Sequence, residues 1–155
     1  MLTGDYLQST EPILGEFNVV MIKIIRTAFI LAVLLTGEAQ AANMAEGLLG
    51  TWVGSAQGFS GQSYFKVTYT VVFDQVVGNA IRGTKTVTYS DGAMSKPSRV
   101  HAILRPDRQI IGAEEDGYWN GRLARKNMIS LVYSERDNIV THLPASLDVT
   151  LIKTR

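Results

Sequence analysis

Every second residue between positions 65 and 73 is apolar: Phe65, Val67, Tyr69, Val71 and Phe73 share one face, and Lys66, Thr68 and Thr70 share the other. Successive Cβ atoms of a strand point to opposite sides, so this alternation predicts a strand over 64–73 with one face in a core and one in water. The period of two dominates from Gly50 onward, with turn residues recurring about every 8–12 positions, the rhythm of an all-β sandwich or barrel. No helical period stands out.

Gly78-Asn79 predicts a turn before a strand over 80–89, with Ile81, Val87 and Tyr89 on one face and Arg82, Thr84, Thr86 and Thr88 on the other. Lys85 falls on the apolar face, where its stem is expected to cover apolar surface while the ammonium reaches water near the strand end. After a long loop over 90–97, a strand over 99–104 leads to Arg105-Pro106-Asp107-Arg108, which suits a type I turn. A strand over 109–115 returns from it. Asp116-Gly117 is a compact hairpin signal, followed by strands over 118–124 and 128–135 and a last strand near 146–153. The expected fold is therefore all-β, an antiparallel up-and-down barrel of about eight strands, the number that closes around side chains or one small ligand. A two-sheet sandwich is the other architecture this pattern allows.

Upstream, Lys23 and Arg26 follow Met21, residues 28–35 form an unbroken apolar run, and Ala39-Gln40-Ala41 has the small-x-small form of a cleavage site. This is the pattern of a secretory signal peptide. The run falls short of the roughly 20 apolar residues that span a bilayer, so no stable membrane anchor is expected. Residues 1–20 carry Asp5, Glu11 and Glu16, the wrong charge for the leading end of a signal, and read as an upstream extension or mis-assigned start. The expected organisation is an extension over 1–20, a signal peptide over 21–41 and a single β-barrel domain over 42–155, periplasmic or secreted.

The first strand lies in Gly47-Leu48-Leu49-Gly50-Thr51-Trp52-Val53-Gly54. Trp52 can plug one end of a barrel while Gly50 and Gly54 let neighbouring backbone come close. Residues 57–63 then read as a Gly and Ser loop with Phe59 exposed. The Gly50-Thr51-Trp52 start, behind an export signal and ahead of successive strands, resembles the calycin group of barrels: lipocalins, fatty-acid-binding proteins and avidins. The avidin branch would imply biotin, but it places an Asn two residues after the Trp, where this chain has Gly54, and Asp148 only echoes the acid that meets the ureido ring. The lipocalin branch, whose Gly-x-Trp start is matched by Gly50 and Trp52, often stacks a later Arg on the Trp; no position is singled out for that Arg, with Arg122 and Lys153 the candidates.

Charge and composition narrow the chemistry. Fifteen Lys and Arg against fourteen Asp and Glu give a net charge of +1, and the bases are scattered, so nucleic acid is not an expected partner. The absence of Cys removes disulfides, thiolate catalysis and zinc-thiolate sites. His101 and His142 have no partner by spacing, and no metal site or cofactor is expected. Glu114-Glu115-Asp116 reads as a solvated hairpin end, because adjacent strand residues point to opposite faces. No Gly-x-Ser-x-Gly, phosphate-cradling or HExxH motif occurs, so no catalytic residue is assigned and the expectation leans away from an enzyme.

The aromatics remain. Phe65, Tyr69, Tyr89, Trp119 and Tyr133 are the candidate ligand-binding residues if the barrel is hollow, and core filler if it is not. Phe59 and Met94 could sit over the mouth. The expected function is an exported, non-enzymatic barrel that binds a small apolar or amphipathic molecule in its interior. The alternative is a periplasmic protein-binding module, an inhibitor or envelope factor, with a filled core.

Overall fold

Eight antiparallel strands follow one another around a closed barrel in the computed structural model, which describes residues 40–138 and 142–154. They are β1 (Gly50–Ser60), β2 (Ser63–Val77), β3 (Ala80–Thr88), β4 (Ser98–Leu104), β5 (Gln109–Ala113), β6 (Gly117–Arg125), β7 (Met128–Glu135) and β8 (Ala145–Lys153). Each strand pairs with the next and β8 pairs back onto β1, which leaves no free sheet edge and excludes the two-sheet arrangement. The extension over 1–20 and the export signal over 21–41 lie outside the described residues, apart from Gln40 and Ala41.

The strand boundaries differ from the sequence reading in three places. Residues 57–60 are not loop: β1 continues through them, hydrogen-bonded on both sides, and the connection to β2 shrinks to Gly61-Gln62 with Gly61 at a φ of 57°. Phe59 packs edge-on against Tyr64 at 5.5 Å across this hairpin, which offsets the low strand preference of its glycines and serines. β2 runs past Phe73 to Val77 through a bulge at Asp74, where the register against β3 shifts. β5 stops at Ala113, because the Glu114 amide turns back to donate to the Gly117 carbonyl at 2.8 Å. Ahead of the barrel, residues 40–46 form a short helix that the strand period gave no sign of.

Inward residues fill the barrel in layers. One end is shut by Trp52, fully buried, whose indole N–H donates to the Leu48 carbonyl at 2.7 Å, with Ala45 and Leu48 packed into the same core. Lys153 lies 5.8 Å from the Trp52 ring centroid and donates to the Gly47 carbonyl at 2.8 Å, so the basic residue beside the Trp is Lys153. Arg122 and Asp148 are exposed on outward positions, which takes Asp148 away from any interior ligand. Above the plug lie Val71, Phe73, Leu104, Ile110, Ile129 and Leu151, all buried, with Phe73 edge-on to Trp119 at 6.5 Å.

Closure depends on two glycines of β1. Gly54 pairs with Leu151 and Gly58 with Leu147 across the β1–β8 seam. A Cβ at Gly54 would lie 1.8 Å from the Thr150 carbonyl oxygen, and one at Gly58 would lie 2.1 Å from that of Ser146. Both are backbone atoms and cannot swing aside. Gly54→Ala is therefore expected to lower stability by about 1–3 kcal/mol, the usual cost of overpacking, read as a lower midpoint in urea unfolding.

Candidate functional site

Inward positions near the opposite end of the barrel do not meet in the middle. Phe65, Val67 and Tyr69 come from β2, Lys85 and Val87 from β3, Tyr133 and Glu135 from β7, and Ala145 and Leu147 from β8. Tyr89, Ser95, Lys96, Asp116 and Asn138 join them from the connections at that end. Together they enclose a cavity of about 420 Å³, in the range of small-molecule sites. The interior is thus filled at the Trp52 end and hollow at the other.

Four of the five aromatic candidates, Phe65, Tyr69, Tyr89 and Tyr133, line this cavity. Trp119 does not. It is fully buried among the core side chains, and its indole N–H donates to the Glu114 carboxylate. Trp52 is at the far, plugged end. His101 is exposed on the outer face of β4, and His142 is also exposed.

The floor of the cavity is polar. Lys85 does not reach water: it is 5 % exposed, and its ammonium is ion-paired with Glu114, whose side chain is fully buried. The ammonium also stands 4.2 Å from the Tyr133 ring centroid and 4.8 Å from that of Tyr69, and the two rings meet edge-on at 6.2 Å. These are cation–π distances in a site shielded from water. Glu114 further accepts from Ser98 Oγ at 3.2 Å. Tyr133 Oη lies 2.8 Å from Glu135 Oε2 and 3.0 Å from Asp116 Oδ1, so its single proton serves one of the two at a time. Asn138 donates to the other oxygen of Glu135.

Two sequence expectations are corrected here. The 114–116 run is a solvated hairpin end only at Glu115 and Asp116, which are exposed: Glu114 points inward, with the parity of Ile110 and Gly112, and supplies the counter-charge for Lys85. Lys85 is not at a strand end but within β3, opposite Val71 of β2 and Ser98 of β4, and it lines the cavity instead of reaching out past the strand end. The signal for both was present: an inward lysine in a closed barrel needs an inward acid, and Glu114 is the residue of that acidic run with the right parity.

The electrostatics follow from burial. The Glu114 carboxyl is held above the usual carboxylate range, first by desolvation, with Lys85 and the Trp119 indole opposing. The Tyr69 and Tyr133 phenols are pushed far above the ordinary tyrosine value, first by burial and then by the charge of Glu114 and Glu135. They stay neutral donors under any physiological condition.

No protein-family model and no curated protein matches the chain. Among solved structures it is similar to EF1p2_mFAP2b bound to DFHBI, with a TM-score of 0.54 at 14% identity, covering 74% of this chain and 98% of that one. It also aligns with Rv2717c from M. tuberculosis at a TM-score of 0.47 and 17% identity, with the same coverage of 74% and 98%. Likeness at this level of identity concerns the fold, an eight-stranded antiparallel barrel.

Two measurements check the floor of the site. In an alkaline titration followed by phenolate absorbance, Tyr69 and Tyr133 are expected to be missing from the ordinary transition near pH 10 and to appear only on unfolding. Because the native state then holds protons that the unfolded chain releases, stability is full below about pH 10 and falls as pH rises above it. Lys85→Met leaves the Glu114 carboxylate buried without its cation and is expected to cost about 3–5 kcal/mol, measured by urea unfolding at neutral pH.

Proposed function

We propose that this chain is an exported, non-enzymatic barrel that binds a small amphipathic molecule with an apolar body in its interior. One observation carries the reading: the cavity of about 420 Å³ is walled by Phe65, Tyr69, Tyr89 and Tyr133, with Val67, Val87 and Leu147 adding apolar surface and Lys85 and Glu135 polar groups. Aromatic walls give a flat ligand large contact area. The similar barrel EF1p2_mFAP2b, bound to DFHBI, supports the use of such a barrel for a small molecule. The segment from Met21 to Ala41, with its basic start, apolar run and small-x-small site, supports export to the periplasm or beyond.

A second reading has an observation of its own. Phe59 and Met94 are 59 % and 66 % exposed at the cavity end of the barrel, as a rim that captures a protein partner would be. The two readings separate by mutation. Binding of an environment-sensitive apolar dye such as 1-anilinonaphthalene-8-sulfonate is expected to weaken about tenfold in Phe65→Ala and in Tyr89→Ala with stability unchanged, since both residues are half-buried. Trp119→Ala is expected instead to lose about 3–5 kcal/mol of stability, as a core truncation does. Unchanged dye affinity in Phe65→Ala and Tyr89→Ala, with loss of partner capture in Phe59→Ser, would favour the rim.

A further inference from the structure

Among the described lysines, Lys66, Lys96 and Lys126 are exposed and Lys153 is half-buried at the plugged end; Lys85 alone is buried, and it lines the cavity. Its ammonium is fixed by three groups, the Glu114 carboxylate and the rings of Tyr69 and Tyr133. No buried side-chain nitrogen or oxygen among the described residues lacks a partner, and at the floor of the cavity Lys85 is matched to Glu114 and Tyr133 to Glu135 and Asp116. A polar ligand that bound by hydrogen bonds alone would have to break this network. A ligand that replaces two protons of Lys85 with a double bond to carbon would not, because the resulting iminium is a cation that faces the same carboxylate and the same two rings.

We propose that Lys85 captures an apolar aldehyde or ketone in the cavity as a protonated imine, with Glu114 as its counter-ion. This rests on the binding reading above and adds the ligand's chemical class. Glu114 takes one proton from the ammonium, and the freed nitrogen lone pair forms the bond to the carbonyl carbon while the carbonyl π electrons move to oxygen. A second nitrogen proton moves to that oxygen. Glu114 returns its proton to the resulting hydroxyl, which leaves as water as the nitrogen lone pair closes the C=N bond. Two protons and one oxygen depart, and the site again holds one cation and one anion. Burial, which holds the Glu114 carboxyl above its usual range, eases its role as the temporary proton holder. Tyr69 and Tyr133 stay neutral throughout and keep the cation between their faces.

The test uses trans-cinnamaldehyde as probe, with sodium cyanoborohydride to reduce any imine to a stable amine, followed by intact mass and peptide mapping of the barrel purified after removal of its leader. One adduct per chain on Lys85, formed before any on Lys66, Lys96 or Lys126, is expected. Lys85→Arg keeps a cation for Glu114 but forms no imine, and Lys85→Met combined with Glu114→Gln removes both charges together. In both, the stoichiometric adduct is expected to be lost, leaving only slow labelling of the exposed lysines. Labelling confined to the exposed lysines, with cinnamyl alcohol still displacing the dye, would overturn the imine and leave the binding reading standing. Failure of both aldehyde and alcohol to displace the dye would overturn the two together.

Discussion

Closure of β8 onto β1 is the constraint on which the rest of this structure depends. Once Gly54 and Gly58 let the two strands meet, each inward side chain has only the barrel interior to occupy. Eight strands enclose a space that side chains can fill, and at the plugged end they do, from Trp52 through Phe73 and Trp119. Toward the other end the inward residues of β8 shrink to Ala145 and Leu147, and β2 offers Val67 and the half-buried Phe65. The cavity is the part of the interior that these residues and the aromatic wall of Tyr69, Tyr89 and Tyr133 leave open.

That asymmetry places a charge pair at the boundary between filled and hollow. A buried ion pair is poor value for stability, because the desolvation of two charges cancels most of their attraction. Lys85 and Glu114 lie under a cavity that water can reach, and their remaining hydrogen-bonding capacity is met by Ser98, the Trp119 indole and two aromatic faces. A layer of leucines would hold the barrel as well at this height. What leucines would not provide is a fixed cation beside an aromatic wall, and the pair is best understood as serving the cavity rather than the core.

How much of this could be read beforehand follows from the range of the interaction concerned. Strand period is local, so the order and number of the strands, the inward face of 65–73 and the set Phe65, Tyr69, Tyr89 and Tyr133 were all legible in the sequence. The 57–60 segment was misread because its glycines and serines look like loop, and only pairing on both sides, with Phe59 against Tyr64, makes it strand. Trp119 shares the alternation of the cavity residues, but its height along the barrel axis depends on the stagger between strands, which no single strand reveals. Lys85 and Glu114 meet through a register that only closure sets. Each was read in isolation, one as a snorkelling stem and the other as a solvated turn, and each reading failed for want of the other residue.

The same closure decides what the site can select. Because no buried side-chain polar atom among the described residues is unpartnered, the buried floor of the cavity carries no unmet hydrogen bond for a ligand to satisfy. Affinity then comes from apolar area covered by the aromatic wall, which discriminates weakly between molecules of similar shape. Strong selection requires a polar event that the resting network does not already perform. The groups at the floor are fixed in place, with Tyr133 bridging toward Glu135 and Asp116 and the ammonium clasped between two rings. A ligand that rearranges them has to break these contacts first. On the proposed reading, specificity lies in chemistry that leaves the charges where they are, and Lys85 is where such chemistry would occur.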